Sequence, residues 1–75
     1  MIKAKLLHRV GDLRIAKPRS YKDIKSVRIG SRVYASQQLG RVIDIIGPVR
    51  RPYIVIKPNK PYPVDDIYGV EVEIV

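Results

Sequence analysis

The chain has 75 residues, of which 45% are hydrophobic, and fifteen Lys and Arg against seven Asp and Glu give a formal net charge of +8. That length holds one small domain, residues 1–75, with a thin core, which excludes a two-domain enzyme and argues against a deep substrate cleft. Cysteine is absent, so neither a disulfide framework nor a thiolate zinc site can staple the fold.

The apolar residues are eleven Ile and ten Val against four Leu, with neither Phe nor Trp. Stiff β-branched side chains favour a pleated sheet over a helix. In chain order, Ile2 to Val10 reads as a first strand, Gly11-Asp12 as a tight turn and Leu13 to Lys17 as the second arm of a hairpin. Pro18 to Asp23 has no period and reads as a loop. Val27 to Ile29, broken by Gly30 and resumed over Arg32 to Ala35, reads as a third strand. Leu39 to Ile46 and Tyr53 to Lys57 follow, joined through Gly47-Pro48-Val49-Arg50-Arg51-Pro52. Pro58, Pro61 and Pro63 make residues 58–66 a stiff connection, and Tyr68 to Val75 is the last strand. About six short strands without a helical period predict an all-β fold, a small six-stranded closed or nearly closed barrel, since closure removes exposed edges.

Chemistry of its own is not expected. There is one His, no Cys and no Thr, and His8 reads as a surface or barrel-rim residue. Asp65-Asp66 reads as a turn or cap, and Glu71 and Glu73 alternate with Val70, Val72 and Ile74 as the solvent face of a strand. Neither phosphate-binding glycine motif occurs. The expectation is a non-enzyme without catalytic residues, cofactor, metal or small-molecule substrate. No stretch of 18 apolar residues exists and the first residues lack a signal peptide's apolar run, so the reading is a soluble, cytoplasmic protein without a membrane partner.

The excess charge is uneven: residues 17–32 carry +5 and residues 58–75 carry −3. Lys17, Arg19, Lys22, Lys25, Arg28 and Arg32 stand against Asp23 alone, with Tyr21 among them as a stacking surface, and form the candidate RNA-facing set.

Strand patterning supplies a second candidate surface. Val70-Glu71-Val72-Glu73-Ile74 alternates, as a strand with one face in water does, whereas Val42-Ile43-Asp44-Ile45-Ile46 and Tyr53-Ile54-Val55-Ile56 are apolar on both faces. Parity with Asp44 and Lys57 assigns Val42, Ile46, Tyr53 and Val55 outward and Ile43, Ile45, Ile54 and Ile56 inward. The outward set is then an exposed apolar patch of the kind that marks a protein interface. A bulge at Gly40 or Gly47 inverts part of this assignment.

The run Gly40-Arg41-Val42-Ile43-Asp44-Ile45-Ile46-Gly47-Pro48-Val49-Arg50-Arg51-Pro52-Tyr53-Ile54-Val55-Ile56-Lys57-Pro58 resembles the core of the glycine-arginine-rich small subunit of box H/ACA ribonucleoproteins. The ordered set Asp44, Gly47-Pro48, Tyr53 and Lys57-Pro58 carries the resemblance. Ile46 stands where the family often has phenylalanine, and the Arg-Gly-Gly repeats of eukaryotic members are absent, as in an archaeal-type core domain. The resemblance implies a six-stranded barrel that docks on the catalytic domain of a dyskerin-like, RNA-guided pseudouridine synthase. The barrel acts there in rRNA processing and ribosome biogenesis, aiding substrate RNA loading and product release, while its contact with the guide RNA particle is indirect. Val42, Asp44, Ile46, Gly47, Pro48, Tyr53, Val55, Lys57 and Pro58 are then the partner-binding set. The competing expectation is a free-standing basic barrel that binds RNA, of ribosomal or translation-factor type.

Overall fold

The fold is described from a computed structural model, for residues 1–35, 37–48, 50–59 and 69–75. Six strands form a closed antiparallel barrel: β1 (Ile2–Val10), β2 (Leu13–Pro18), β3 (Arg32–Ala35), β4 (Gln37–Ile46), β5 (Tyr53–Pro58) and β6 (Glu71–Ile74). Around the barrel the order is β1-β2-β5-β4-β3-β6, and β6 closes the ring by pairing with both β1 and β3. No helix among the described residues is long and apolar enough to cross a membrane. The sequence-predicted segment Tyr68 to Val75 is a strand over Glu71–Ile74, while Asp65, Asp66 and most of the proline-rich connection lie outside the described residues.

Aliphatic residues, most of them β-branched, fill the inner pleat. Leu6 faces Ala16, Ala16 faces Ile54 and Ile54 faces Ile45, a row that crosses four adjacent strands. Leu6, Ala16 and Ile54 are buried, and Ile45 packs against the same cluster. Val33, Ile56, Val72 and Ile74 complete the interior from the remaining wall. Each such side chain withdrawn from water stabilises the fold by about 1.5–3 kcal/mol.

The segment after β2 departs from its sequence reading. Tyr21–Ser26 is a 3-10 helix, where a loop was expected from Pro18 to Asp23. Val27 to Ile29 forms no strand, because its donors are committed locally. The Val27 amide donates to the Ile24 carbonyl at 3.1 Å, the Arg28 amide to Ser31 Oγ at 3.1 Å, and the Ser31 amide to the Arg28 carbonyl at 2.9 Å. Gly30, at φ +90, closes this turn and donates to the Val42 carbonyl at 2.7 Å. Ile24 and Val27 drop onto the core from the turn, so the apolar spacing that resembled a strand serves as a plug.

Two glycines act through geometry rather than flexibility in general. Gly47 has φ +93, a conformation that side chains disfavour, and turns the chain out of β4. Gly40 is buried opposite Pro58, where a Cβ would overlap the β5 backbone at Lys57 and Pro58.

Candidate functional site

A bulge at Ile43 decides the outer surface. The β4–β5 register pairs Val42 with Ile56 but Asp44 with Val55, so Ile43 has no partner of its own and the pleat reverses across it. Val42 is therefore inside the barrel at 1% exposure and is removed from the partner-binding set. Ile43, assigned inward from parity, is 40% exposed. The bulge is at Ile43 and not at Gly40 or Gly47, the two positions the sequence suggests, and Ile45 and Ile46 keep their inward and outward assignments because they follow it.

With this correction the outer pleat is continuous. His8 faces Ile15, Ile15 faces Val55, and Val55 faces Asp44 across β1, β2, β5 and β4. One pair further along, Ile46 faces Tyr53. Ile46 is 42% exposed, Tyr53 and Ile15 are half-buried, and Val55, at the centre, is 5% exposed although it points away from the core. The patch is thus a shallow apolar surface around Val55, not the fully open face that parity implied for that residue. Sequence reading assigned no faces to Leu13 to Lys17 and so missed Ile15, which joins the patch only through the register that sets it beside Val55. It also missed Arg14, which is 3% exposed on the inner pleat opposite Ile56.

The connection from β4 to β5 frames the patch. The Arg51 amide donates to the Pro48 carbonyl at 3.0 Å, closing a tight turn, and Arg50 and Arg51 are exposed on it. A Cβ at Gly47 would stand 3.1 Å from Cδ2 of Tyr53, so the bare glycine leaves room for the ring. Asp44 is exposed at the far edge, where its Oδ1 accepts the Ile45 amide at 2.7 Å. Lys57 and Pro58 continue β5 beyond the apolar rows, Lys57 exposed and Pro58 half-buried.

Four of the six basic candidates fall into two groups, Lys17 with Arg19 and Arg28 with Arg32. Lys17, Arg19, Lys22, Lys25, Arg28 and Arg32 are all exposed. In the first group, Lys17 Nζ lies 5.8 Å from the centroid of the Tyr21 ring, and Arg19 is 3.9 Å from Glu71. Both residues line a depression of about 380 Å³ together with Lys5 and Glu71, so an acidic side chain already sits among these cations. In the second group, Arg28 and Arg32 flank the turn at Gly30, and Arg32 faces Arg41 directly across β3 and β4. Among the described residues, His8 is an exposed strand residue and no group of three or more His, Asp or Glu gathers.

No known family profile matches the chain. It is 46% identical over 35 residues to an uncharacterized protein of Methanocaldococcus jannaschii, a stretch covering 45% of this chain. The chain spans 43% of the length of that curated relative. This similarity carries no function with it.

Proposed function

We propose that this protein is a non-catalytic subunit of an H/ACA-type guide RNA particle, docking on the dyskerin-like pseudouridine synthase through the outer face of β2, β4 and β5. The observation that carries the reading is the outward apolar group Ile15, Val55, Ile46 and Tyr53, built largely by the nineteen-residue run that resembles the family. A rigid aromatic beside β-branched residues matches the composition of interface anchors, and exposed Arg50 and Arg51 at the rim suit an acidic border on the partner. The barrel offers shape and apolar area; chemistry belongs to the synthase, and this subunit aids substrate RNA loading and product release, a gating step that sets turnover without touching the chemical step.

The test is a calorimetric titration into the synthase of the same organism, without RNA, at about 0.5 M salt, where phosphate-type attraction is screened to about 4 Å. Apolar docking persists there, and Tyr53→Ala weakens it about 30-fold, the equivalent of about 2 kcal/mol for an interface anchor. Absence of binding to the synthase at both low and high salt refutes the assignment.

A further inference from the structure

The strand register gathers a charge arrangement that is scattered in sequence. Arg32 faces Arg41 across β3 and β4, and Arg41 faces Lys57 across β4 and β5. Three cations therefore stand side by side on three adjacent strands, all exposed, spanning about 10 Å at the spacing of about 4.8 Å between strands. Arg28 borders the row from the Gly30 turn. Nη1 of Arg41 donates to the Gly30 carbonyl at 3.2 Å, which fixes the guanidinium beside that turn.

Like charges directly opposite one another destabilise an antiparallel pair. Here two successive pairs are of that kind, and among the described residues no carboxylate lies in ion-pair reach of any of the three. The arrangement contrasts with Arg19, whose neighbour Glu71 is in reach. The row also borders a depression of about 320 Å³ lined by Arg41, Ile43, Lys57, Pro58 and Asn59. Its apolar wall, Ile43 and Pro58, lies next to its cations, and the Asn59 amide offers both a donor and an acceptor.

We infer that the row Arg32–Arg41–Lys57 is a track for the phosphodiester backbone of single-stranded nucleic acid, with one base resting against Ile43 and Pro58. Charge complementarity identifies the occupant: three exposed cations in a row, with no carboxylate in ion-pair reach among the described residues, meet the successive phosphates of a nucleic-acid strand. The adjoining apolar hollow fits an unpaired base, which a duplex presents only at its ends. The track is independent of whatever covers the apolar face around Val55, and it reassigns Lys57 from protein docking to phosphate contact.

The experiment is fluorescence anisotropy of the full chain with a short unstructured oligoribonucleotide, its deoxyribose counterpart and the matching duplex, each over a range of salt. Arg32→Gln/Arg41→Gln/Lys57→Gln is compared with the charge-matched Lys3→Gln/Lys5→Gln/Arg9→Gln, three exposed cations of β1. The track predicts that the first variant weakens single-strand binding about 100-fold at about 0.1 M salt and flattens the salt slope by about 2, from about 0.7 per phosphate contact. The control variant changes both far less. Preference for ribose indicates additional sugar contacts, and equal affinity indicates the phosphate row alone; both keep the track. The melting temperature of the first variant stays at or above that of the wild type, because repulsion is relieved, which separates lost contact from lost fold. Tighter binding of the duplex, equal weakening by the control, or equally tight and equally row-dependent binding of polyglutamate overturns the inference, the last in favour of an acidic protein partner.

Discussion

Gly40→Ala is the substitution whose cost follows most directly from the structure. A Cβ at this position would stand 2.8 Å from the Pro58 Cα and 2.9 Å from the Lys57 carbonyl carbon, and it would overlap the Lys57 carbonyl oxygen. Ordinary carbon contacts lie at about 3.5–4.0 Å, so β4 and β5 must part by about 1 Å. The neighbouring Asn59 amide donates to the Leu39 carbonyl at 2.9 Å, and a parting of that size takes this bond out of range. Overpacking costs about 1–3 kcal/mol and a lost backbone bond about 1 kcal/mol, while the stiffer unfolded chain returns about 0.4–1 kcal/mol. The net loss is about 2.5 kcal/mol, against a total stability of about 4–11 kcal/mol for a domain of this size. With an unfolding entropy of about 0.16 kcal/mol/K for such a domain, the melting temperature falls by about 15 °C in calorimetry. Gly30→Ala is the comparison, since its Cβ meets nothing within 4 Å and only the strain of φ +90 remains. A Gly40→Ala protein that melts within about 3 °C of the wild type, about 0.5 kcal/mol, refutes the close-approach argument.

Two further outcomes test the site's construction. Gly47→Ala combines φ +93 with a Cβ 3.1 Å from the Tyr53 ring, so it lowers stability by about 1–2 kcal/mol in urea titration and shifts the Tyr53 ring resonances in NMR spectra. The bulge is tested by paired substitutions: Val42→Ser costs about 2–3 kcal/mol by burying a hydroxyl and leaving a cavity, whereas Ile43→Ser stays within about 0.5 kcal/mol. Equal costs for the two place the bulge elsewhere.

The barrel was legible because β-branched runs, Gly-Asp and Gly-Pro turns and short spacings all point the same way. β1 matches its sequence reading in full, and β2 and β5 extend theirs by a proline at one end. Residues Val27 to Ile29 misled because local turn bonds to Ser31 and Ile24 satisfy the donors that a ladder would use. Parity along β4 broke at the bulge and misassigned two residues, Val42 and Ile43. An extra residue leaves no trace in an apolar run such as Val42-Ile43, where inward and outward positions hold the same kinds of side chain. The outer apolar group was legible in β4 and β5 but not in β2, since Ile15 becomes part of it only through the register that sets it beside Val55. The row of Arg32, Arg41 and Lys57 was invisible for the same reason: its members are far apart in sequence and meet only across strands.

The ring is completed by its last strand. β6 spans four residues, Glu71–Ile74, and joins two strands at once, with Ile74 beside Ile2 on one side and beside Val33 on the other. During synthesis β1 through β5 emerge first as an open sheet, and its two free edges, β1 and β3, wait for the strand that arrives last. Contacts between the chain's extremes are slow to form, so closure of the barrel is the late event in folding. The slot that β6 fills is one strand wide and takes Val72 and Ile74 into the core. A change that unseats Val72 or Ile74 therefore unpairs β1 and β3 together and opens the ring along its whole seam.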